Sequence, residues 1–145
     1  MRKREANMKK LILALAMAAG FAAPAAALDF ACSVRSTGDG FISPAIAVQF
    51  EPGQSTAIVY DRYIAAVHGK PIKATLRQRT LNPDEYRISW ALSNVPARPS
   101  PIRIGYQAII NIKTNRIIVR GSMRGVTNSL NGNGVCKEGA LNLNR

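Results

Sequence analysis

His68 is the one histidine of the chain, and Asp61 stands a short way before it. With one of several serines, these types could form a Ser-His-Asp relay, an imidazole taking the hydroxyl proton while a carboxylate orients it. No serine has the glycine setting of a nucleophile elbow, so unrelated loops would have to converge. Zinc needs three or four His, Cys or carboxylate ligands, which one histidine and two cysteines do not provide. Carboxylates number 8 against 20 Lys and Arg, and no pair of them marks acid-base glycoside hydrolysis. Gly38-Asp39-Gly40 has the character of a loop rather than a calcium site. The residues favour binding over catalysis, with no cofactor or metal.

Basic side chains are the better-organised chemistry. Strand parity sends Lys73, Arg77, Arg79, Arg87, Arg103, Lys113, Arg116, Arg120 and Arg124 to one outer face. Most are arginine, whose planar fork suits phosphate and carboxylate. Such a face predicts an acidic partner: anionic lipid, lipopolysaccharide phosphates or an acidic protein. Nucleic acid is not expected, because no aromatic residue stands among these arginines to stack a base. The competing reading is a charged exterior that only maintains solubility. A second candidate is the tract holding Tyr60, Asp61, Arg62, Tyr63 and His68. It reads as a binding loop at a barrel mouth, or as a corner in which Asp61 caps a turn and Gly69 permits the bend.

These residues are carried by segments of period-two alternation, with no convincing helix. Strands are expected over 30–35, 46–50 and 56–60, with a short strand or turn over 63–67. Ile72, Ala74 and Leu76 then alternate with Lys73, Thr75 and Arg77. Tyr86, Ile88, Trp90 and Leu92 alternate with Arg87, Ser89, Ala91 and Ser93. Tyr106, Ala108, Ile110 and Ile112 form the next apolar row, which places Trp90 and Tyr106 in the core. A tight turn at Thr114-Asn115 would pair Lys113 with Arg116, Ile112 with Ile117, Ile110 with Val119, Ala108 with Gly121 and Tyr106 with Met123. The other face would pair Asn111 with Ile118, Ile109 with Arg120 and Gly105 with Arg124. A one-residue slip would destroy that sorting. Residues 81–84 mark a turn, 95–101 a proline-rich loop, and Asn131-Gly132-Asn133-Gly134 turn chemistry before a last short strand at 135–136. Residues 141–145 read as a tail.

The N-terminus says where this domain works. Met8-Lys9-Lys10, an uncharged apolar run over 11–23 and the Ala25-Ala26-Ala27 stretch read as a secretory leader, with a membrane anchor as the alternative. Cleavage after Ala27 leaves residues 28–145, one domain with net charge +8, soluble and periplasmic or secreted. No later stretch is apolar enough to span a membrane. In an oxidising compartment Cys32 and Cys136 read as a disulfide, which brings the first and last strands together. The expected fold is all-β: a small antiparallel meander barrel or sandwich of seven to eight strands, closed by Cys32–Cys136.

Phe30-Ala31-Cys32, Val59-Tyr60-Asp61, Arg87-Ile88-Ser89-Trp90, Tyr106 and Gly134-Val135-Cys136, with the leader, resemble small, uncharacterised exported β-proteins of proteobacteria with one disulfide. The aromatic-x-Cys start and Cys-containing final strand are also distantly similar to periplasmic inhibitors of c-type lysozyme. That resemblance implies a small disulfide-bonded barrel and, as the alternative function, inhibition of a cell-wall-degrading enzyme. The inhibitors' Ser-Gly-containing loop has no counterpart here, so no inhibitory residue is carried over.

Overall fold

The computed structural model describes residues 26–37, 40–126, 130–139, 141 and 143. The expected leader therefore lies almost wholly outside the described residues, as do Gly38, Asp39 and most of the expected tail. Eight strands follow in order: β1 (Leu28–Thr37), β2 (Ala45–Phe50), β3 (Thr56–Asp61), β4 (Ile72–Gln78), β5 (Glu85–Val95), β6 (Ile102–Asn111), β7 (Arg116–Met123) and β8 (Leu130–Glu138). Each pairs antiparallel with its neighbours, and β8 returns to β1, closing a meander barrel. Closure gives every strand a partner on both sides and leaves no edge to recruit another chain. Among the described residues no helix is long and apolar enough to cross a membrane.

The seam between β1 and β8 carries the disulfide. Cys32 lies directly opposite Cys136, both are buried, and their sulfurs are bonded inside the barrel. Gly132 and Gly134, expected in a turn, instead lie within β8. They are there for thinness. A Cβ on Gly132 would come to 2.8 Å from Val34 Cγ1, and one on Gly134 would run into the Ser33 carbonyl oxygen.

Alternation sorts the side chains as expected. Ile88, Leu92, Ile104, Ala108, Ile110, Val119, Val48 and Val59 are fully buried in the interior, each large one contributing about 1.5–3 kcal/mol of transfer free energy. Trp90 and Tyr106 are core residues, stacked with centroids 5.4 Å apart. Phe50 sits between Phe30 and Tyr86, at 5.9 and 4.8 Å, filling the end that carries the β2–β3, β4–β5 and β6–β7 turns.

Two local readings change. The β6–β7 hairpin pairs Asn111 with Arg116, Ile110 with Ile117, Ala108 with Val119 and Tyr106 with Gly121. Every expected partner is displaced by two residues, so the faces survive while the register does not. The cause is a longer turn. The Asn111 side chain accepts the Lys113 and Thr114 N–H groups at 3.0 Å, and Asn115 takes a left-handed φ of 57°, a conformation asparagine tolerates. The second change is a helix, α1 (Arg62–His68), in place of the expected strand or turn. Asp61 caps it by accepting the Ile64 N–H at 2.8 Å. Gly69, at φ 70°, ends it by donating its N–H to the Ala65 carbonyl.

Candidate functional site

α1 forms one mouth of the barrel. Its single buried residue, Ile64, is fully enclosed and serves as a plug. Asp61 is only 4% exposed, and burial pushes its carboxyl above the ordinary 3.8, against the opposing influence of the Ile64 and Tyr63 N–H groups and the Arg62 guanidinium. Beneath it Tyr106 donates its hydroxyl to the Phe41 carbonyl at 2.6 Å. Burial first, then the charges of Asp61 and Tyr63, raise that phenol above its ordinary 10.0. Phe41 packs against Tyr63 at 6.2 Å, and Arg62 lies 4.9 Å over the Tyr63 ring while donating to its hydroxyl at 2.9 Å.

The second candidate tract is therefore not a loop. Tyr60 lies within β3 and Asp61 ends it, Asp61 and Ile64 hold the helix in place, and Arg62 and Tyr63 bond to each other. His68 is exposed in the last turn, where a basic residue suits the helix dipole. Asp61 and His68 stand at opposite ends of α1, about 10 Å apart along its axis at 1.5 Å per residue, so they do not form a hydrogen-bonded pair. Among the described residues no three His, Cys, Asp or Glu side chains gather.

The nine basic residues face outward, but closure of the sheet divides them. Lys73 lies toward β3, in a groove with Gln49, Glu51 and Gln54. Arg103 and Arg124 border an open hollow with Ala91, Gly105 and Ser122 near the helix end, and Arg103 reaches the Ser93 hydroxyl at 3.4 Å. Arg116 and Arg120 project from β7 and Lys113 from the turn before it, all exposed. Arg77, Arg79 and Arg87 come together near the β4–β5 turn.

No family model, curated protein or solved structure matches this chain.

Around the β4–β5 turn, Arg77 and Arg87 are directly opposite each other across the two strands. Arg79 bonds Glu85 at 2.6 Å with both partly accessible, and Asn82 donates to the other Glu85 oxygen at 3.2 Å. Each Glu85 oxygen thereby has a partner, and among the described residues neither Arg77 nor Arg87 forms an ion pair. Arg87 Nε is buried with no partner. Gln78 braces the turn by donating to the Pro83 carbonyl at 2.7 Å, and the Arg79 and Glu85 N–H groups close it on the Glu85 and Asn82 carbonyls. Leu81 projects from this turn, 96% exposed. Sequence parity located the arginines but missed Glu85 and Leu81. The Arg79-Thr80-Leu81-Asn82-Pro83-Asp84-Glu85 run was the available signal, since a turn returns its last residue beside its first.

Proposed function

We propose that this chain is an exported, non-catalytic binding protein that contacts an acidic envelope component through the basic outer face of β4 to β7. Anionic lipid, lipopolysaccharide and an acidic protein all have the required charge. The observation that carries this reading is uncompensated arginine. Among the described residues Arg79–Glu85 is the single ion pair, while Arg77, Arg116, Arg120 and Arg124 stand exposed and Arg87 half-buried.

The test is co-sedimentation of the purified protein with phosphatidylglycerol or phosphatidylcholine vesicles across a salt series. Selective binding that fades as the screening length shrinks from about 10 Å at 0.1 M to about 3 Å at 1 M is the expected result. No selective binding at low salt rejects the reading.

An inhibitor of a cell-wall-degrading enzyme is the second reading. It is favoured by the closed barrel with its β1–β8 disulfide, the architecture implied by the resemblance to lysozyme inhibitors. The exposed Pro96, Arg98, Pro99 and Ser100 of the β5–β6 loop offer the segment for it. Dose-dependent inhibition of a c-type lysozyme would support it, and unchanged turbidity clearance at tenfold excess would remove it.

A further inference from the structure

We propose that the cleft between Arg77 and Arg87 is a phosphate seat, taking a phosphoryl group from a lipid headgroup or a free phosphate. This deepens the acidic-partner reading and rests on it for biological context. Like charges directly opposite on neighbouring strands destabilise a sheet, and among the described residues no acidic side chain pairs with either, Glu85 being held by Arg79 and Asn82. A charged donor buried without an acceptor adds a further cost, and Arg87 Nε is such a donor. One oxyanion between the two guanidinium ends would relieve the repulsion, and a rotation of the Arg87 side chain would bring its Nε–H, buried here, to the same anion.

The charge count selects phosphate over carboxylate. Arg79 and Glu85 cancel, leaving two positive charges, Arg77 and Arg87, on the lining of the hollow, which does not include Asp84 of the same turn. A phosphate monoester carries about −1.5 to −2 at neutral pH, whereas a carboxylate carries one charge and satisfies one fork. The hollow bounded by Arg77, Gln78, Arg79, Thr80, Leu81 and Arg87 measures about 250 Å³. That is several times the ~30 Å³ share of a water molecule in the liquid, so a phosphoryl group has room. Its floor is preorganised by the bonds of the β4–β5 turn, which lowers the ordering cost of binding. The Arg103 and Arg124 hollow lacks these features: Arg103 already has the Ser93 hydroxyl as a partner.

The experiment titrates the full purified protein with inorganic phosphate at constant ionic strength, following the arginine Nε–H resonances. Saturable movement of the Arg87 signal is expected. Arg77→Gln and Arg87→Gln should each weaken phosphate binding at least tenfold, and Arg87→Lys should weaken it nearly as much, because the charge remains while the fork is lost. Arg35→Gln on β1 removes the same charge elsewhere and should leave binding unchanged. A non-saturable response, full retention in Arg87→Lys, or equal weakening in Arg35→Gln would overturn the seat in favour of a diffuse field.

Vesicle binding, measured in parallel with phosphatidic acid, separates this proposal from the broader one. Saturable phosphate binding without vesicle binding upholds the seat, assigns it to a free phosphate and removes the envelope surface as the partner. Vesicle binding unaffected by Arg77→Gln and Arg87→Gln, with no phosphate saturation, removes the seat and leaves the basic face. If Leu81→Ser weakens vesicle but not phosphate binding, the seat holds with the headgroup as its source.

Discussion

Gly134→Ala should strain the barrel at its seam. Gly134 pairs with Val34 on one side and Ile117 on the other, and the atom that an added Cβ would strike is the Ser33 carbonyl oxygen. A flexible side-chain tip can step aside, but a backbone carbonyl cannot move without moving β1. Overpacking a tight interior position typically costs about 1–3 kcal/mol, and a backbone obstacle places this substitution at or above the upper end. The adjacent Cys32–Cys136 bond keeps β1 and β8 from separating freely, so the strain cannot be shed by letting the seam part. Gly139→Ala is the matched comparison, since a Cβ there meets nothing within 4 Å and an exposed substitution of this kind changes stability by under about 0.5 kcal/mol. Urea denaturation of both variants, followed by tryptophan fluorescence from the buried Trp90, reads the difference. A loss of about 3 kcal/mol in Gly134→Ala alone is expected. Equal midpoints for the two variants would refute the reasoning that Gly134 is present for close approach.

Replacing Cys32 and Cys136 together by serine should remove up to about 4.7 kcal/mol, the chain-entropy figure for a loop of roughly 100 residues, against the 104-residue separation here; an unchanged urea midpoint would argue against it. Asp61→Ala should lose the α1 cap, typically about 1 kcal/mol, whereas Asp61→Asn keeps a cap without the buried charge. The Asp61 carboxyl is raised by desolvation, so its ionisation opposes folding above its folded value, and that opposition disappears as pH falls below the unfolded value near 3.8. Asp61→Asn should therefore gain on the wild type at neutral pH and lose the gain in acid, as thermal melts across pH would show; a constant difference at every pH would contradict this.

Much of the architecture was legible because a half-buried strand advertises itself at period two. The rows Tyr86-Ile88-Trp90-Leu92 and Tyr106-Ala108-Ile110 could have only one buried face, and the two cysteines predicted a joined first and last strand. The 62–68 helix was hidden by its length, too short for a periodic stripe, and by β-branched and aromatic residues that suit a strand equally. Its Asp61 cap and Gly69 stop were visible, yet the same pair serves an ordinary turn. The hairpin register escaped for a related reason. Parity is preserved by a shift of two, so the apolar sorting that excluded a one-residue slip could not distinguish a two-residue turn from the longer Asn111-capped one.

By itself the sequence determined which side chains are buried, which face carries the arginines and that the chain is all-β, since these depend on local alternation and charge. Only the tertiary structure decided how that outer face is divided, that Glu85 pairs with Arg79, and that Arg77 and Arg87 meet with no ion-pair partner among the described residues. It also decided that Gly132 and Gly134 serve a seam rather than a turn. The physical reason is that pairing across strands is a long-range property. Alternation says which way a residue points, while register and closure say what it points beside.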